Sequence, residues 1–111
     1  MLLYTTWPDA ETAEEAAAVL VADRLAACAN IIGGMRSVYR WQGALERSVE
    51  TVVIFKTTAE AAPGLRDRIA ACHPYETPCV VALPVAAGVS HGPYVEWLAG
   101  EVAAPVDVVE R

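Results

Sequence analysis

The middle of the chain constrains the fold most. An extended stretch runs from about Ala29 to Trp41, Gln42-Gly43-Ala44 has the composition of a turn, and a second stretch rich in β-branched residues runs from Val49 to Thr58. Alternation sets Ser37, Tyr39 and Trp41 on one side of the first strand and Val38, Arg40 and Gln42 on the other. Gly33-Gly34 interrupts that strand where a bulge would bend it. Two long strands joined so tightly form a ribbon able to reach beyond its own domain.

The flanking segments complete a pattern. Leu2 to Thr6 reads as a first strand, closed by Trp7-Pro8. Asp9 is placed to cap a helix, Thr12 and Glu15 offer a second capping box, and Ala13, Ala16, Ala17, Leu20, Val21 and Leu25 recur at helical spacing. A second helix begins near Ala61 or Ala62 with Pro63 in its first turn and ends at Cys72, before His73-Pro74. Cys79 to Leu83 reads as a short buried strand, and Pro93 opens a last helix carrying Tyr94, Trp97 and Leu98. The acidic tail from Ala103 to Arg111, with Pro105, either adds a strand or stays loose. The order β-α-β-β-α-β plus a C-terminal helix is that of an α+β, ferredoxin-like sandwich, with two helices on one face of an antiparallel four-stranded sheet. Tyr39, Trp41 and Phe55 are then expected on the opposite face, and a partner subunit is its simplest cover.

Composition agrees. The 111 residues suit a single domain spanning 1–111. A chain of this size removes roughly 65% of its unfolded surface from water, so folding requires no metal or disulfide. Apolar residues make up 55%, an excess for so short a chain, which implies burial against another subunit. The net charge of −6 and a single lysine, Lys56, with no basic cluster, argue against nucleic acid and anionic membranes as partners. No apolar run approaches the roughly 20 residues of a membrane span, and the N-terminus lacks the regions of a signal peptide. Cys28, Cys72 and Cys79 form no CxxC pair, so reduced thiols and a cytoplasmic location are expected.

Five segments resemble the CutA divalent-cation tolerance family in order and spacing. They are Arg24-Leu25-Ala26-Ala27-Cys28-Ala29-Asn30-Ile31-Ile32, Arg36 through Gly43, Lys56-Thr57-Thr58, His73-Pro74-Tyr75-Glu76-Thr77-Pro78, and Leu83-Pro84 with Tyr94-Val95-Glu96-Trp97-Leu98. The resemblance implies a ferredoxin-like homotrimer whose long hairpins pack subunits together. It also implies an architecture like that of PII signalling trimers, which take small ligands in intersubunit clefts, and an association with copper and other divalent cations. Two departures stand out: Cys79 replaces a commonly acidic position, and Pro63-Gly64 replaces charged helix formers.

His73, Tyr75 and Glu76 put an imidazole, a phenol and a carboxylate on a loop stiffened by Pro74 and Pro78. As a metal site, His73 and Glu76 would be ligands, with Cys28 a further thiolate ligand for copper or another divalent cation. Structural roles compete: His73 capping the preceding helix, Tyr75 packing at a subunit boundary, Glu76 pairing with an arginine, and Cys28 entering the core. On the PII-like reading, Lys56, Tyr39, Trp41, His73, Tyr75 and Glu76 line an intersubunit cleft for a small anionic ligand. Lys56 is equally a solvated edge charge, and for Tyr39 and Trp41 trimer packing is favoured over a stacking platform. No nucleophile elbow or phosphate loop is present, so the chain is not expected to be an enzyme; a His73–Glu76 acid–base pair is the one catalytic alternative.

Overall fold

A computed structural model describes residues 1–104; residues 105–111, and with them most of the acidic tail considered above, lie outside the described residues. The elements are β1 (Leu2–Trp7), α1 (Ala10–Ala22), β2 (Cys28–Trp41), β3 (Ala44–Lys56), α2 (Ala62–Cys72), β4 (Val80–Leu83) and α3 (Gly92–Glu101). The sheet order is β2-β3-β1-β4, and every neighbouring pair is antiparallel. This is the ferredoxin-like arrangement with one added helix.

One face of the sheet is covered. Leu3, Thr5 and Trp7 of β1 lie opposite Phe55, Val53 and Thr51 of β3. Ala13, Ala17 and Leu20 of α1 and Leu65 and Ile69 of α2 close the core over them. Buried polar groups are paired: the Trp7 indole N–H donates to Thr5 Oγ1 at 2.7 Å, and that hydroxyl donates to the Val53 carbonyl at 2.8 Å. Phe55 is fully buried here, not on the open face with Tyr39 and Trp41. Its parity is that of Val53, and the bulge in β2 makes alternation unsafe to carry across from the far end of the ribbon.

Asp9 caps α1, accepting from the Thr12 N–H at 2.8 Å, and that bond holds its carboxyl below the usual carboxylate range. At the other end Arg24 adopts a left-handed φ of 60°. Its N–H bonds to Val21 O and the Leu25 N–H to Leu20 O, the Schellman pattern in which glycine is usual. The arginine side chain supplies a reason. Its guanidinium donates to Glu101 O at 3.1 Å and Gly100 O at 2.9 Å, capping the C-terminus of α3, while Ala103 N–H donates to Arg24 O.

The ribbon is longer than alternation in the second strand implies: β3 pairs from Ala44 rather than Val49 and stops at Lys56 rather than Thr58. Trp41 faces Ala44 across a two-residue turn in which Gln42 and Gly43 both have positive φ (49° and 80°), as a type I′ turn requires. The register shifts between Ile32 and Met35, so Gly33-Gly34 is the bulge, with Gly34 at φ 72°. β4 departs from expectation. It is an edge strand of four residues, of which only Val80 is half-buried; Val81 and Leu83 are exposed on the open face. An unbroken apolar run suggests burial on both faces, but one chain covers only one of them.

Candidate functional site

The open face carries a cleft alongside the ribbon, about 500 Å³ in volume, lined by Thr6, Tyr39, Trp41, Glu50, Tyr75, Glu76, Thr77 and Cys79. Three elements build it. β1 supplies Thr6, the ribbon supplies Tyr39, Trp41 and Glu50, and the proline-bounded loop after α2 supplies the rest. Tyr4, on the same face, donates from its hydroxyl to Met35 Sδ at 3.3 Å and ties β1 to the ribbon.

His73 lies beneath the cleft, not in it. It is buried, its Nε2–H donates to the Thr6 carbonyl at 2.8 Å, and its Nδ1 accepts the Tyr75 N–H at 3.0 Å. These partners fix the Nε2–H tautomer and leave no nitrogen lone pair for a metal. The ring packs against Trp7 at 4.3 Å between centroids and against Tyr75 at 4.9 Å, tilted by 34° and 52°. His73 is thus a clamp between the loop and β1: its backbone N–H caps α2 at Ile69 O, as expected of a helix-ending residue, while its ring bonds to a strand carbonyl rather than to the helix. Tyr75 faces the cleft, and its phenol is pushed above the ordinary range by burial first and by the negative charge of Glu50 next.

Lys56 and Cys28 belong to the other end of the open face. They are register partners, and Lys56 lies six positions beyond Glu50 on β3, roughly 20 Å along the strand. Lys56 Nζ donates to the Tyr94 hydroxyl at 3.1 Å and sits 5.2 Å from that ring's centroid. The same bond, chiefly, raises the lysine above its usual range. Cys28 Sγ is 4.0 Å from the Tyr94 oxygen, so the thiol is half-exposed on the open face rather than in the core.

Within one chain the structure therefore unites Tyr39, Trp41, Tyr75 and Glu76, and separates Lys56 and Cys28 from them. Among the described residues no three His, Cys, Asp or Glu side chains converge as metal ligands. The set His73, Glu76 and Cys28 does not fit a cation within the single chain: the imidazole is already bonded and the thiol is at the far end of the sheet. Thr6, Glu50, Thr77 and Cys79 complete the cleft without having been anticipated. Glu50 was within reach of sequence reasoning, because counting outward from the Gln42-Gly43 turn across the bulge-free part of the ribbon puts it opposite Met35, on the side of Tyr39.

A ferredoxin-like sheet, a long ribbon and a ligand-sized cleft on its open face define a small α+β protein of the PII-like class. The profile of the CutA1 divalent ion tolerance protein family matches residues 1–101, and the chain belongs to that family. The divalent-cation tolerance protein CutA of Thermus thermophilus is 46% identical over 97 residues, covering 87% of this chain and 92% of that one. A solved structure of the Cut A1 protein of the same organism superposes with a TM-score of 0.86 at 41% identity, covering 92% of this chain and 97% of that one. The PII-like protein CutA of Nostoc sp. PCC 7120, in apo form, superposes with a TM-score of 0.87 at 29% identity, over 94% of this chain and 98% of that one.

Proposed function

We propose that the protein is a PII-like homotrimeric binding module that serves divalent-cation tolerance through a small ligand held in the open-face cleft. The observation that carries this reading is the cleft itself: three aromatic side chains, two carboxylates and two threonines around a space of ligand size, on the face that α1 and α2 leave open. Exposed Ile32, Val81 and Leu83 on that face support assembly, since exposed apolar side chains of this kind are stabilised by burial against a copy. No catalytic role follows from His73 and Glu76, because the imidazole is committed to backbone partners. The three free thiols support a reducing, cytoplasmic setting.

Light scattering should give the mass of three chains, and a thermal-shift screen of metabolites should find compounds that raise the melting temperature in the native protein but not in Trp41→Ala. A monomer in solution, or a screen with no Trp41-dependent shift, sinks this reading.

Direct binding of copper or another divalent cation is the second reading. It is supported by the description of the family and requires donors contributed by more than one chain. Calorimetric titration with Cu(II) and Zn(II) separates the two: saturable binding lost in Glu76→Gln or Cys28→Ser supports direct binding, and none supports the ligand-mediated role.

A further inference from the structure

The ribbon sorts its charges by face. Register and parity put Glu46 and Glu50 on the side of Tyr39 and Trp41, and Arg36, Arg40 and Arg47 all on the opposite side. The cleft consequently has two carboxylates in its lining and no lysine, arginine or histidine. Glu50 is half-buried, and neither it nor Glu76 has an ion-pair partner among the described residues, where the salt bridges are Arg66–Asp67 and Arg68–Asp23. The lysine that would have received an anionic ligand is at the other end of the sheet, bonded to Tyr94.

This lining discriminates by charge. Aromatic rings present negative faces and carboxylates carry full negative charge, so both repel an anion and both attract a cation. A bare divalent ion would gain little from the rings, and a hydrated one keeps oxygen ligands that the rings cannot replace. An ammonium group on an apolar body uses the whole lining, with the body against the rings and the charge near the carboxylates. We infer that the cleft selects a small organic cation, with Tyr39, Trp41 and Tyr75 enclosing the ammonium group and Glu50 and Glu76 as its counter-charge. This rests on the cleft being a ligand site and names the ligand's class. The raised phenol of Tyr75 agrees: after burial, its next cause is the negative charge of Glu50, which also favours a cation in the cleft.

Three probes of nearly equal shape and different charge test the inference: choline, neutral 3,3-dimethylbutanol and anionic 3,3-dimethylbutyrate, each titrated calorimetrically into the assembled protein at low ionic strength. Choline should bind once per chain and about tenfold or more tighter than the neutral probe. Glu50→Gln with Glu76→Gln should remove that preference, so that choline and the neutral probe bind this variant with about the same affinity. Neither carboxylate is hydrogen-bonded to another side chain among the described residues, so the melting temperature of this variant provides a check that it folds. Trp41→Ala should weaken both probes. Butyrate binding as tightly as choline, or choline binding undiminished in the double variant, overturns the organic-cation assignment and leaves the ligand-cleft reading standing. If no probe binds, the assignment fails, and the metabolite screen decides whether the cleft takes any ligand. Choline binding that appears only after Arg36, Arg40 and Arg47 are replaced by serine also overturns it, since an arginine of a neighbouring copy would then be the occupant.

Discussion

His73 and Tyr75 divide the work of one short loop. The imidazole is spent on structure, donating to Thr6 O and accepting from Tyr75 N–H, and the phenol it positions is presented to the cleft. The sequence shows the histidine as an available donor because nothing local reveals that Trp7 and the Thr6 carbonyl, nearly seventy positions earlier, will surround it. Tyr75 offers a direct reading of the cleft's electrostatics. Its folded pKa lies above that of an unfolded phenol, near 10. The fold therefore favours the protonated form: the stabilisation is fully present below about pH 10 and is lost as pH rises through the higher folded value. Tyrosinate absorbance, assigned by difference from Tyr75→Phe, should show this late ionisation. Glu50→Gln should move the midpoint down only part of the way, because burial is the larger cause. A midpoint unmoved by Glu50→Gln would remove that carboxylate's charge from the account.

Among the elements, α1 and α3 are coupled through a residue in an unfavourable conformation. A left-handed arginine costs about 1 kcal/mol relative to glycine, and its guanidinium offsets that by capping α3. Arg24→Gly should leave global stability within about 1 kcal/mol of the original, as the relieved backbone and the lost cap oppose one another. Hydrogen exchange should nevertheless quicken selectively in α3, and equal protection in the two proteins would show that the cap does not hold the helix. The elements also show what a sequence reveals about itself. α1 was legible because its cap, its apolar spacing and its alanines all lie within a few turns. The start of β3 was not, since Ala44 to Arg47 extend beyond the core, and their exposed side chains show no burial-driven alternation.

At the scale of the molecule, the sheet is a two-faced layer with one face finished. The order of elements sufficed for the fold, because each helix needed only one apolar stripe and each strand one alternating set. The cleft was legible in part: its aromatic members and Glu76 stand out in the sequence, but Thr6, Thr77 and Cys79 join it only through the meeting of a strand, a ribbon and a loop. Assembly should depend on the open face rather than on the core. Ile32→Glu combined with Leu83→Glu, both at exposed positions, should yield single chains by light scattering while retaining far-ultraviolet dichroism. An intact oligomer carrying both glutamates would place the interface elsewhere.

The order β2-β3-β1-β4 leaves β2 and β4 as margins, and the β2 margin is fourteen residues long. Along it, peptide groups face outward with no adjacent strand among the described residues, the template on which foreign strands add. If the chain assembles as proposed, the hazardous species is the newly synthesised subunit that has not yet met its partners. Soluble yield should follow the rate at which chains encounter one another as much as the stability of each. Diluting synthesis across slow translation would lengthen that exposed interval, whereas a local burst from one messenger would shorten it.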